Sequence, residues 1–164
     1  MKKTTNGMRF ETQVPLRDVM KNNPTMIGIE ANVAMAAKAM CTDEVGSVII
    51  LENSKPTGIV TEEDITCKVV AKDLKPSTVQ VREIMSTPLI TVSAEKTVGD
   101  AAHMMVKHKV RRLPVIDAKK KVIGIVTVRD LLTVSNELNE LLEDLIEINR
   151  EEIVEQGMCN RCSQ

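Results

Sequence analysis

Aromatic residues are nearly missing from this chain of 164 residues: there is no Trp, no Tyr, and a single Phe, Phe10. Proteins that bind single strands without sequence preference stack bases on aromatic platforms, and this chain has none in its prospective core. Charge of one sign is also lacking. Net charge is −1, and no basic stripe of the kind a nucleic-acid binder carries dominates any segment. No apolar run approaches the roughly 18 residues of a membrane span, and the N-terminus has no signal-peptide core. A cytoplasmic location is the expectation, and in that compartment four cysteines argue against a disulfide framework. Cys41 and Cys67, among apolar neighbours, are expected to be small buried hydrophobes.

Histidine is scarce too. His103 and His108 lie five positions apart and do not share a helical face, as a metal or acid–base pair would. The glycines are scattered, with no phosphate-cradling loop, dinucleotide fingerprint, nucleophile elbow or Ser-His-Asp order. These absences point to a binding module and not to an enzyme. At 43% hydrophobic and 27% charged residues, the chain can still bury a core.

What the chain does have is a repeat. Gly58-Ile59-Val60-Thr61-Glu62-Glu63-Asp64 returns 66 positions later as Gly124-Ile125-Val126-Thr127-Val128-Arg129-Asp130, and internal repeats govern the fold they occur in. Val33, Ala36-Ala37 and Met40 match Val98, Ala101-Ala102 and Met105 at an offset of 65. Val48-Ile49-Ile50-Leu51 matches Leu113-Pro114-Val115-Ile116 at that same offset. The step from 65 to 66 implies one extra residue in the turn before the second motif. Each half reads as strand, helix, strand, strand, helix. Strands are expected at 26–29, 47–51 and 57–60, then at 89–92, 113–116 and 122–126. Helices are expected over 32–40 and 97–106, with Asn32 and Thr97 as N-caps, and over 63–72 and 129–135. Such apolar strands need cover on both faces, which makes the fold α/β with two pseudo-equivalent units.

Within the repeat, a Thr hydroxyl and an Asp carboxylate stand three residues apart where strand gives way to helix. One reading is an acceptor for the vicinal diol of a ribose; the other is a helix cap, since both residue types favour that position. An adenine in this chain has to rest between aliphatic side chains and be recognised by backbone groups. Met26 and Ile90, from the opening apolar run of each half, are included in the ligand-binding set.

The doubled Gly-Ile-Val-Thr-x-x-Asp, the stretch Arg111-Arg112-Leu113-Pro114-Val115-Ile116-Asp117, and the lead-ins Arg17-Asp18-Val19-Met20 and Arg82-Glu83-Ile84-Met85 resemble a tandem pair of CBS domains, a Bateman module, over residues 14–137. The resemblance implies two β-α-β-β-α units packed through their sheets. It also implies two clefts for adenosine-containing ligands: AMP, ADP, ATP or S-adenosylmethionine. Carried over, the ribose acceptors are Asp64 and Asp130, each with its hydroxyl, Thr61 or Thr127. Basic residues at the positions of Arg111 and Arg112 contact phosphates in several family members, and the first half has Gly46-Ser47 there. Arginine suits that task through its planar, bidentate fork; a solvated basic edge is the plainer alternative. The resemblance further implies a homodimer and a protein effector that reads the ligand state, with no required cofactor.

The organisation expected is a flexible N-terminus (1–13), a first CBS domain (14–75), a second (76–135), an amphipathic helix (136–156) and a tail (157–164). Val134, Leu138, Leu141, Leu145 and Ile148 recur at steps of four and three, a short heptad seam. Cys159-Asn160-Arg161-Cys162 is half of a four-cysteine zinc site and is similar to the first knuckle of the C-terminal zinc ribbon of some archaeal CBS-pair proteins. Two readings stay open: a zinc or disulfide link between subunits, and a functionally silent end. An interaction scaffold with unoccupied clefts, and a nucleic-acid-linked regulator using this tail, are the alternative functions.

Overall fold

The computed structural model describes residues 14–133. The heptad seam, the Cys159–Cys162 pair, the N-terminal segment and Phe10 lie outside the described residues. By internal contacts the described chain forms two compact units, one from residues 22–91 and the other from 14–21 together with 92–133.

After a 3-10 turn (Leu16–Asp18), the elements in chain order are β1 (Lys21–Asn22), β2 (Met26–Gly28), α1 (Val33–Thr42), β3 (Ser47–Glu52), β4 (Lys55–Thr61) and α2 (Glu62–Lys68). A second 3-10 turn (Val70–Lys72) leads to α3 (Val81–Ile84), β5 (Val92–Ser93), α4 (Val98–His108), β6 (Arg112–Ile116), β7 (Val122–Thr127) and α5 (Val128–Leu132). One unit carries the sheet β2-β3-β4 and the other β1-β7-β6-β5. In each, a parallel pair (β2 with β3, β5 with β6) is joined by a helix, and the next strand returns antiparallel. Parallel neighbours need such a crossover, whereas antiparallel ones close through a short turn. The expected strand-helix-strand-strand-helix order is therefore present twice.

The repeated apolar positions are the ones that disappear from solvent. Val33, Ala36 and Met40 of α1 are buried, as are Val98, Ala101 and Met105 of α4. Asn32 accepts a hydrogen bond from the Met35 amide, and Thr97 accepts one from Asp100, so both helices start where expected. The single-residue length difference sits in the hairpin turns. Asn53 and Ser54, both at positive φ, close β3 to β4. The longer second turn wraps around Asp117, whose Oδ1 accepts the amides of Lys119 and Lys121 at 2.9 Å each.

Three expectations are corrected. The apolar run 89–92 is not a strand along its length, because β5 pairs with β6 only through Val92 and Ser93. Residues 89–91 instead lead the chain out of the first unit, where the Thr87 hydroxyl still donates to Thr57 O. The helix after the first motif stops at Lys68 and continues as the 3-10 turn. Cys41 is exposed and Cys67 only half-buried, since buried Val33, Ala36 and Met40 define a different face of α1 from Cys41.

The motif glycine has a packing cause. A Cβ on Gly58 would stand 2.8 Å from Met85 Sδ and 3.0 Å from Ser86 O; on Gly124 it would stand 2.7 Å from Met20 Sδ and 2.9 Å from Lys21 O. The two Met lead-ins thus lie flat against the last strand of a sheet, and only glycine admits them. The backbone bridge Ile59–Ser86 and the strand β1 against β7 are the result.

Candidate functional site

Each Thr-x-x-Asp turns a corner from strand to helix, β4 into α2 and β7 into α5. Both corners are closed capping boxes. Thr61 Oγ1 accepts the Asp64 amide, while Asp64 Oδ2 accepts the Thr61 amide at 2.8 Å and the Thr61 hydroxyl at 2.7 Å. Thr127 and Asp130 repeat this, with Oδ2 accepting the Thr127 amide at 2.8 Å and its hydroxyl at 2.6 Å. The cap reading of the motif is therefore the one the geometry shows. The threonine proton is spent on the carboxylate, so the threonine holds the aspartate, and Oδ1 is the oxygen left to face anything else. A third Thr-x-x-Asp, Thr97 with Asp100, caps α4 in a similar way, which shows that the spacing by itself is a helix-start device.

At Oδ1 the two copies part. Asp64 Oδ1 is 2.9 Å from Lys68 Nζ, one helical turn on, and the two side chains are 3% and 25% exposed. Lys68 also donates to the carbonyl of Ile84 at 2.7 Å, at the end of α3. Asp130 Oδ1 is 3.9 Å from Lys21 Nζ, with side-chain exposures of 12% and 68%. Neither lysine was singled out by sequence reasoning. Lys68 was legible as an i,i+4 acid–base pair; Lys21 comes from a distant lead-in that only the fold brings to β7.

The register confirms that the two corners are equivalent. Ser47 pairs with Thr61, and Arg112 pairs with Thr127; Gly46 O accepts the Glu62 amide as Arg111 O accepts the Val128 amide. Arg112, half-buried at the start of β6, and exposed Arg111 thus stand beside the Thr127–Asp130 corner, where the other unit has Ser47 and Gly46. Met26 opens β2 opposite Ile49, at the end of the sheet that also carries Ser47 and Thr61. Ile90 is half-buried in the irregular stretch before β5. An open cavity of about 430 Å³ lined by Gly28, Glu30, Leu51 and Asn53 lies at the opposite, hairpin end of that sheet, away from the Thr61–Asp64 corner. Among the described residues no group of three or more His, Cys, Asp or Glu is placed to hold a metal, and no helix is long and apolar enough to cross a membrane.

Residues 16–70 and 81–137 each match the CBS domain model. The chain is 36% identical over 159 residues to the uncharacterized protein MK0525 of Methanopyrus kandleri, covering 92% of this chain and 79% of that one. It is similar to a hexameric CBS-CP12 protein from bloom-forming cyanobacteria, with TM-score 0.70 and 34% identity over 85% of this chain and 83% of the other. It is also similar to the CBS domain pair of protein MJ0100 in complex with 5′-methylthioadenosine and S-adenosyl-L-methionine, with TM-score 0.66 and 27% identity over 74% of this chain and 98% of that one. Two matched copies, in two units of like topology, place the chain in the CBS domain family as a tandem CBS pair, a regulatory module.

Proposed function

We propose that this CBS pair senses an adenosine-containing ligand (AMP, ADP, ATP or S-adenosylmethionine) and passes its ligand state to a protein partner, without catalysing a reaction. The observation that carries the reading is the Thr127–Asp130 corner. The threonine fixes the carboxylate through Oδ2, and Oδ1 keeps accepting capacity beside a loosely placed Lys21. A ribose diol offers two hydroxyl donors to such a group. Arg112, the strand partner of Thr127, and the neighbouring Arg111 are the proposed phosphate contacts. In this reading Ile90 and Met26 supply aliphatic surface for adenine. The ligands named in the MJ0100 complex support the chemical class, and a homodimer in the cytoplasm is the proposed setting.

A structural reading also has an observation behind it, because the same Thr-x-x-Asp box caps α4 at Thr97–Asp100 as well as α2 and α5. Thermal unfolding separates the two. A ligand held at a hundred times its Kd stabilises by about 2.7 kcal/mol, so adenosine, AMP, ATP or S-adenosylmethionine should raise the transition by several degrees while guanosine does not. An unchanged transition with all four would leave the scaffold reading standing.

A further inference from the structure

The two corners share a backbone, a cap and a register, yet their carboxylates face different cations. Asp64 Oδ1 receives Lys68 Nζ at 2.9 Å in a setting where the aspartate is 3% exposed. Lys68 is held from its other side by the Ile84 carbonyl at 2.7 Å. A diol approaching Asp64 has to displace a charge-assisted hydrogen bond from a carboxylate already shut away from water, and the lysine cannot swing aside without also deserting the α3 carbonyl. Among the described residues Asp130 has no ion pair this close: the residue four positions after it in sequence is Val134, and Lys21 stays at 3.9 Å and mostly in solvent. The same unit that carries Lys68 has Gly46 and Ser47 where the other has Arg111 and Arg112.

We infer that Lys68 is an internal latch: it occupies the acceptor face of Asp64, so the protein takes one adenosine ligand per chain, at Asp130, and none at Asp64. This rests on the adenosine-sensing reading above and adds to it a stoichiometry and the residue that sets it. Lys68 is a positioning residue, acting through Asp64 and touching no ligand itself. Removing its charge while keeping its length should free the second carboxylate for a diol.

Isothermal titration of the full chain with AMP reads the inference directly. The wild type should bind one AMP per chain, and Asp64→Asn should leave both stoichiometry and Kd within twofold. Lys68→Met should bind a second AMP, which Lys68→Met combined with Asp64→Asn should lose. Circular dichroism checks that each variant is folded; if Lys68→Met is not, Lys68→Gln takes its place, and the Asp64→Asn result in the wild-type background decides independently of either. Two AMP per chain in the wild type, a tenfold or greater loss of affinity in Asp64→Asn, or a single site in the folded lysine variant would overturn the latch while leaving adenosine sensing intact. Absence of AMP, adenosine and S-adenosylmethionine binding to the wild type would overturn both.

Discussion

Gly58→Ala and Gly124→Ala place one methyl group where a methionine lead-in crosses a strand, and the structure sets the size of the effect. In the first, the new Cβ meets Met85 Sδ at 2.8 Å and Ser86 O at 3.0 Å, whereas ordinary contacts begin near 3.4 Å. The thioether can rotate away. The carbonyl cannot do so freely, because Ser86 O accepts the Ile59 amide at 3.1 Å and Ser86 N donates to Ile59 O at 2.9 Å. Over-packing of this kind costs about 1–3 kcal/mol. Against it stands the gain of about 0.4–1 kcal/mol from a stiffer unfolded chain. The net expectation is a loss of roughly 0.5–2 kcal/mol at either glycine. Gly28 is the control, since its Cβ would meet nothing within 4 Å and its φ is not in the left-handed range; Gly28→Ala should be neutral or stabilising. Urea unfolding reads this as a lower midpoint at unchanged m for the first two variants and not for the third. Adding Met85→Ala to Gly58→Ala should recover only part of the loss, because the backbone contact remains. If Gly58→Ala and Gly124→Ala are as stable as Gly28→Ala, the docked lead-ins do not explain the motif glycines.

Asp64→Ala should destabilise more than Asp130→Ala, by about 2–4 against about 1 kcal/mol, because both lose a cap but only the first strands a half-buried lysine; equal urea midpoints would refute this. Arg112→Ala or Arg111→Ala should erase a preference for AMP over adenosine in calorimetry, and a preference kept by both would reduce the arginines to a solvated edge. The sequence seam from Val134 to Ile148 predicts a dimer for the whole chain and a monomer for a chain ending at Asn136 in light scattering, and a monomer in both or a dimer in both would remove the seam from the interface. If the dimer joins Cys159 and Cys162 of two chains around zinc, elemental analysis under reducing conditions should find one zinc per two chains, and zinc-free protein would rule that out.

The doubled motif made the architecture readable because packing forces repetition. Val33, Ala36 and Met40 recur as Val98, Ala101 and Met105 since both helices bury the same face on a similar sheet. N-caps were legible for a local reason: Asn32 and Thr97 satisfy amides only three residues away. What stayed hidden depends on segments distant in sequence. The run 89–92 has strand composition, but its connection to β5 leaves only Val92 and Ser93 to pair. Lys21 reaches the Asp130 corner from a lead-in more than a hundred residues earlier. Cys41 follows an apolar helix stretch, yet burial depends on which face meets the sheet. Within the site, the equivalence of Arg112 to Ser47 was visible as a constant offset, and the strand register bears it out. The unequal surroundings of Asp64 and Asp130 were visible only as Lys68 against Val134, a difference that gains meaning once Oδ2 is known to be spent on the cap.

Calorimetric titration of AMP into the wild type and Asp130→Ala tests the central claim most directly. Losing a charged acceptor for the ribose hydroxyls should weaken binding by about 1.5–3 kcal/mol, roughly ten- to a hundredfold, with the fold intact by circular dichroism. An AMP affinity unchanged by Asp130→Ala would contradict the account.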